Sequence, residues 1–404
     1  MSNESTAVNG LSTSDQMRNR VLCGIAVALY WAALYLYMGT LPIYVEGKVA
    51  GDLAMVGVVL SMYGLWQALL RFPLGIVSDW LGKRKVFVIA GMALAGLGAM
   101  TMGQAGGVSG VLVGRILTGL AAAAWVPLVV TFSSSFRPDQ AVLATLVLTL
   151  VGSTSRAIAT ALTGTLNAWG GDSLSFWLAA GAAALAIVVF LFIREPKRER
   201  KQPSWGSVTK LITRPDVLLP AVLALFVLYA VWSSIFGFNP KLATMIGAND
   251  SALSLLTSLN AIAATSGTLA AAAIASRLGP RRLLYGSFGL LAGGVLLASL
   301  APSLWVLFVA QALTGVAQGV GAPILMGLSI RYVDESERST AMGLHQTVYG
   351  FGMFGGPAIS GLLAKWIGIR PMLALTAVVI LSLSLLLMRL FIARVPEEQS
   401  AEPA

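Results

Sequence analysis

Long apolar runs, broken at regular intervals by short charged or turn-forming stretches, dominate this chain of 404 residues. A helix needs about 20 predominantly apolar residues to cross the hydrocarbon core of a bilayer. Cutting at the charged and turn-forming stretches gives twelve such segments, approximately 20–44, 53–78, 86–105, 108–133, 140–168, 174–193, 217–243, 252–276, 283–301, 304–331, 339–364 and 371–393. Only 11% of the residues are charged and 57% are hydrophobic, whereas a soluble domain carries about 25% charge. A water-soluble globular enzyme is excluded, and so is a disordered chain. The single cysteine, Cys23, and the single histidine, His345, exclude a disulfide framework and any multi-cysteine or His-rich metal centre, and no cofactor is expected. The expected fold class is an all-α membrane protein with twelve transmembrane helices.

Connections between the segments are short except for 194–216, which is polar and basic and contains Pro196, Pro203 and Pro215. It divides six spans from six. The expected organisation is an N-terminal tail (1–19), a six-helix bundle (20–193), a linker (194–216), a second six-helix bundle (217–393) and a C-terminal tail (394–404). Residues 1–17 hold only acidic charges, Glu4 and Asp15, and lack the basic region of a signal peptide. Of the 27 lysines and arginines, twenty fall on the side of the tails and linker, and four (Lys48, Lys241, Lys365 and Arg370) fall opposite. By the positive-inside rule both termini are cytoplasmic, and the expected location is the inner (cytoplasmic) membrane. The net charge of +10 is then a topology signal, and no nucleic-acid partner is expected.

The halves repeat. Gly114-Arg115-Ile116-Leu117-Thr118-Gly119 with Pro127 matches Ala310-Gln311-Ala312-Leu313-Thr314-Gly315 with Pro323 at an offset of 196. Leu81-Gly82-Lys83-Arg84 matches Leu278-Gly279-Pro280-Arg281 at 197, and Pro42 matches Pro240. Two six-span halves of the same orientation imply a pseudo-twofold axis along the membrane normal, with cargo bound between them near the midplane.

Between the second and third spans stands Gly75-Ile-Val-Ser-Asp79-Trp-Leu-Gly82-Lys83-Arg84-Lys85. It resembles the signature Gly-x-x-x-Asp-Arg-x-Gly-Arg-Arg/Lys of the major facilitator superfamily, with Trp80 in place of the usual arginine. The run Tyr63-Gly64…Arg71-Phe72-Pro73-Leu74-Gly75 is similar to that of bacterial drug-exporter-like members. The resemblance implies that Asp79, with Gly75, Gly82 and Arg84, gates the two halves. Gly114-Arg115-x-x-x-Gly119 resembles a second family motif, whose buried arginine is linked to proton transfer. The family's antiporter motif is not matched in the fifth span. A version occurs in the eleventh, Gly352-Met-Phe-Gly-Gly356-Pro357-Ala-Ile-Ser-Gly361, where a small-residue packing face is the alternative reading.

No carboxylate is placed at the centre of a span, yet Arg115 and Arg156 are embedded and Arg71 lies nearer the cytoplasmic side. A buried guanidinium needs a counter-charge or a dense set of acceptors. Either an anionic group on the cargo supplies the charge, or the arginines bond helix carbonyls and hydroxyls. The resemblance implies that the first, fourth, seventh and tenth spans line the cavity. The substrate-binding candidates are Tyr30, Trp31, Tyr35, Arg115, Arg156, Tyr229, Trp232, Asn239, Gln311 and Gln318. The proton-coupling candidates are Arg115, His345 and Glu46; His345 can equally bond a neighbouring helix, and Glu46 can equally be a solvated charge at the membrane edge.

The expected function is a secondary-active, alternating-access exporter of a small amphipathic or anionic molecule (a drug, a secreted metabolite or a metallophore-like compound), driven by protons and acting as a monomer. The alternative is a proton-coupled importer or a uniporter of an organic acid, sugar or similar nutrient. A membrane-embedded enzyme is a remote third, because the chain has no His/Asp pair, metal-ligand cluster or phosphate-binding glycine loop, and a Walker-type motif for ATP is absent.

Overall fold

A computed structural model describes residues 13–136, 140–194, 211–334 and 337–394. The linker residues 195–210 and the tails beyond 13 and 394 lie outside the described residues. The described residues are helical throughout and form twelve spans in two six-helix bundles. The first span is α1 (Thr13–Tyr35) followed by α2 (Leu41–Lys48), and the second is α3 (Leu53–Leu81). The third is α4 (Arg84–Gly103), and the fourth is α5 (Val108–Ala123) continued by α6 (Trp125–Ser133). The fifth and sixth are α7 (Ala141–Gly170) and α8 (Asp172–Leu191).

The seventh span is α9 (Pro215–Ser233), a π-helical turn (Ser234–Phe238) and α10 (Asn239–Met245). One continuous segment, α11 (Asp250–Leu300), provides the eighth and ninth spans. At 51 residues and 1.5 Å rise it is more than twice as long as a bilayer core is thick, and it turns at Gly279, whose φ is +74°. The last three are α12 (Leu304–Ile330), α13 (Arg338–Ile367) and α14 (Ile369–Arg394). Both ends of the described chain lie at one membrane face, here the terminal face; the other is the distal face.

The repeat seen in sequence is a repeat of structure. The first span breaks over 36–40 and the seventh over 234–238, each just before a helix that carries a proline in its first turn, Pro42 or Pro240. Proline lacks a donor and fits the first turn of a new helix, so it ends the preceding one. Gly82, with φ +64°, turns the chain after α3 as Gly279 does in the second half. Close approach recurs as well. A Cβ on Gly119 would meet the Tyr63 carbonyl oxygen at 2.8 Å, and one on Gly315 would meet that of Asn260 at 2.6 Å.

The bundles meet along two long seams, the second span against the eleventh and the fifth against the eighth. The eleventh-span motif packs both ways, Gly352 and Gly356 on the seventh span of the same bundle and Pro357 and Gly361 on the second span across the seam. A Cβ on Gly356 would strike Tyr229 O at 2.7 Å, and one on Gly361 would strike Leu53 O at 2.7 Å. The packing-face reading therefore accounts for this motif, since small residues let helix backbones touch in lipid.

Adding bulk at matched positions is expected to cost similar amounts in both halves. Gly119→Val and Gly315→Val should each lower the melting temperature in detergent, consistent with an overpacking penalty of about 1–3 kcal/mol. Gly24→Ala, which has open space around it, should leave it unchanged.

Candidate transport site

An arc of aromatic rings crosses the junction of the two bundles. Tyr30 stacks on Trp125 with centroids 6.5 Å apart, and its hydroxyl donates to Ala121 O at 3.0 Å. Trp125 meets Trp31 at 5.0 Å, and Trp31 meets Tyr35 at 5.5 Å. Tyr35 then touches Phe236 at 6.2 Å, Phe236 touches Trp232 at 5.0 Å, and Trp232 stacks on Tyr63 at 5.2 Å. The broken ends of the first and seventh spans place Tyr35 and Phe236 where the halves meet.

Arg156 sits on this arc. Its guanidinium carbon lies 4.7 Å from the Trp31 ring centroid and 5.9 Å from that of Tyr35. It reaches Ser153 Oγ at 3.4 Å, a long contact, and also meets the Tyr35 hydroxyl, and the side chain is half-buried. A cation over an indole face is favourable, but an aromatic ring is not a counter-ion.

Arg115 is wholly buried between the first, second and fourth spans. It lies 4.7 Å above the Tyr63 ring, donates to Leu60 O at 3.2 Å and reaches Met38 Sδ at 4.0 Å; its Nε has no partner. Its match in the repeat, Gln311, is equally buried and belongs to a neutral amide knot. Asn239 Nδ2 reaches Gln311 Oε1 at 3.4 Å, and Asn260 Nδ2 donates to Gln311 O at 3.1 Å. Asn239 Oδ1 and Gln311 Nε2 are left unpartnered. Gln318 is half-buried two turns further along α12. Tyr229 packs on the eleventh span, with its hydroxyl 3.4 Å from Ser360 Oγ. No carboxylate among the described residues pairs with Arg115 or Arg156.

Arg71 and His345 belong to a separate cluster nearer the terminal face. Arg71 donates to the Tyr349 hydroxyl, and the Gln67 amide, turned to present its oxygen, accepts from it at 3.0 and 3.2 Å. Tyr349 lies edge-on to the His345 ring at 5.8 Å, and His345 Nδ1 bonds Ser329 Oγ at 2.7 Å. His345 is thus bonded to a neighbouring helix and does not meet the aromatic arc. Sequence reasoning did not join Arg71 to Tyr349, because that contact spans 278 residues.

The Gly75–Lys85 motif occupies the terminal end of α3 and the turn into α4. Gly75 lets Val126 approach, Gly82 makes the turn, and Arg84 opens α4. Lys85 Nζ donates to Leu191 O and Ile193 O at 2.6 and 2.8 Å, capping the end of the sixth span. Asp79 occupies the last turn of α3; its side chain lies outside the described residues.

At the distal face two ion pairs join the halves, Glu46 to Lys241 at 2.7 Å and Asp52 to Lys365 at 2.9 Å. Glu46 is therefore partnered across the junction and is not a free edge charge. The Lys365 ammonium beside Asp52 holds its carboxyl below the usual carboxylate range.

The family model of the Major Facilitator Superfamily matches residues 23–240 and 221–404. The chain belongs to that superfamily of transporters. Among curated proteins it is 28% identical over 101 residues to the inner membrane transport protein YajR of Escherichia coli K12, covering 25% of this chain and 22% of that protein. It is 29% identical over 171 residues to mouse (Mus musculus) monocarboxylate transporter 9, covering 41% of this chain and 31% of the relative. The matches thus span less than a third of either relative. Among solved structures, the nucleoside transporter NupG superposes with a TM-score of 0.73 at 16% identity, over 94% of this chain and 98% of that one. A bacterial homologue of the lysosomal transporter Spinster, inward-facing and unoccupied, gives 0.78 at 14%, over 95% and 99%. At these identities the likeness is one of fold.

Arg115→Met tests whether the buried charge is a strut. Replacing a buried, unpaired guanidinium by an apolar chain of similar length should leave the melting temperature unchanged or raise it. A drop of several degrees would make Arg115 structural.

Proposed function

We propose that this chain is a proton-coupled, secondary-active exporter of a small amphipathic or anionic molecule, working as a monomer in the inner membrane with both termini cytoplasmic. The observation that carries the reading is the half-buried Arg156 guanidinium, held over Trp31 beside the junction of the halves, which meets the hydroxyls of Ser153 and Tyr35 but no carboxylate among the described residues. A carboxylate or phosphate on the cargo supplies the missing counter-charge, and the flanking rings of Trp31, Tyr35 and Phe236 receive its apolar part. The name of the monocarboxylate transporter relative supports a carboxylate.

Tyr30, Trp232, Tyr229 and the Asn239–Gln311 knot, with Gln318, form the remaining wall of the proposed seat. Arg115, one layer deeper, sets the positive potential of the N-terminal half and is the proposed coupling residue. Asp79, with Gly75, Gly82 and Arg84, is the proposed gate at the cytoplasmic face.

Import or uniport is the second reading, favoured by the neutral interior of the C-terminal half, where no carboxylate is seen among the described residues to carry a proton beside the cargo. Direction is set by the gradients and the coupling, not by the fold.

Benzoate, benzamide and uridine serve as probes in a Trp-fluorescence titration of purified protein. Benzoate should quench and the two neutral probes should not. Arg156→Gln should weaken benzoate binding about tenfold to a hundredfold, the loss of one charge-assisted contact, and Arg156→Lys should recover part of it. Equal binding of benzoate and benzamide would refute the anionic seat. In inside-out vesicles, an imposed inward-acid gradient should drive uptake of radiolabelled benzoate; uptake indifferent to the gradient would favour uniport.

A further inference from the structure

The distal face holds a third contact between the halves, and it joins two acids. Asp172 opens the sixth span, in the N-terminal half, and Asp250 opens the eighth, in the C-terminal half. Both reach the same amide. Asn167 Nδ2 lies 3.1 Å from Asp172 Oδ1, 3.1 Å from Asp250 Oδ2 and 3.0 Å from Thr40 Oγ1. An amide nitrogen has two hydrogens, so it cannot serve three acceptors. Asn167 is 8% exposed, and its Oδ1 is buried with no partner. Two carboxylates therefore hang on the two hydrogens of one neutral amide, whose oxygen is unused.

A cavity of about 400 Å³ opens beside it, lined by Thr40, Tyr44, Lys48, Asp172 and Asp250 among others. Lys48 is the cation facing this space, and its ammonium lies 5.1 Å from the Tyr44 ring. The Tyr44 hydroxyl is already committed to Met102 O. Two carboxylates against one ammonium leave one net negative charge, which a single proton cancels. The backbone holds the acids in place, since Gly164 N donates to Ser254 Oγ at 2.7 Å and a Cβ on Gly164 would meet Asp250 O at 2.5 Å.

We infer that Asp172 and Asp250 form a proton-binding latch, which takes one proton from solvent at the distal face and closes that face when it is bound. The inference rests on the proposed proton coupling and makes the distal face a sensor of the outer proton rather than a step in its path. The proton bonds to a carboxylate oxygen of one aspartate and removes the repulsion between two like charges held on one amide. When the halves part, the acids separate and the proton is released. The two like charges are held on one amide only in the closed arrangement, where Asn167 reaches both. A group bound more tightly in the closed state favours closure at low pH, and that advantage is lost as pH rises through the closed-state value. Asp52, held low by Lys365, stays ionised over the same window, so the ion pair beside it does not open as the latch closes.

The test is the distance across the distal face at pH 5 and pH 8 in nanodiscs. Nitroxides at Gln104→Cys and Met245→Cys, in a Cys23→Ala background, report one residue from each half by pulsed electron resonance. Acidification should raise the closed-to-open ratio, by up to about tenfold for each unit of pKa difference between the states. Asp172→Asn and Asp250→Asn should abolish that response and hold the short distance at both pH values. Asn167→Asp, which adds a third carboxyl, should move the midpoint to higher pH and serves if the other variants fail to fold.

A distance blind to pH, or aspartate variants that respond as the parent does, would overturn the latch. So would a distance that follows replacement of sodium by choline at fixed pH, which would make the site a sodium site. Benzoate flux separates the two claims. A pH-responsive face with gradient-blind flux keeps the latch and removes proton coupling. Gradient-driven flux with a pH-blind face does the reverse.

Discussion

Lipid does not solvate charge, and this constraint governs the placement of the ionisable groups in the described structure. An ionised side chain at the centre of a bilayer costs several kcal/mol or more unless it is paired or reaches water. The described carboxylates with a structural role, Asp15, Glu46, Asp52, Asp172, Asp216 and Asp250, all stand at helix ends, where they meet lysines, arginines or amides. Arg71, Arg115 and Arg156 are the exceptions. Arg71 is bonded to Tyr349 across the junction of the halves and to Gln67 on its own helix, with its Nε left unpartnered. Arg115 and Arg156 instead have ring faces, a carbonyl and the hydroxyls of Ser153 and Tyr35. A fold that left these two groups so poorly compensated without use would carry a cost for no return, and this is why they are the centre of the functional reading.

The two bundles share a scaffold and differ in chemistry. The breaks at 36–40 and 234–238, the left-handed glycines Gly82 and Gly279, and the close approaches at Gly119 and Gly315 all recur at nearly constant offset. At the matched positions Arg115 and Gln311 the halves part company, one a bare cation over Tyr63 and the other a neutral amide tied to Asn239 and Asn260. The asymmetry gives the N-terminal half a fixed positive potential, while the C-terminal half offers polar but uncharged contacts.

Much of this was legible in the sequence, for physical reasons. Backbone hydrogen bonds must close inside lipid, so apolar runs are helices, and most boundaries lie within two or three residues of those expected. The first span starts earlier, at Thr13, because a polar extension continues the helix past the apolar stretch, with Arg18 paired to Asp15 at 3.2 Å. The helix breaks are invisible to hydropathy, although Pro42, Pro127 and Pro240 marked them. The distal contacts could not be read at all. Lys241 with Glu46, and Asp172 with Asp250, are far apart in the chain, and only the packing of the halves brings them together. Likewise the sequence placed Arg115 and Arg156 inside spans, but which one faces the junction depends on helix rotation, which hydropathy does not fix.

The central claim is that the Arg156 guanidinium receives an anionic cargo between the halves. The most direct measurement is a structure with 4-bromobenzoate bound, the bromine located by its anomalous scattering. The account predicts a carboxylate about 3 Å from the Arg156 guanidinium, with the ring between Trp31 and Phe236. A bromobenzoate seated elsewhere, with Arg156 still resting on Trp31 and Tyr35 alone, would contradict it.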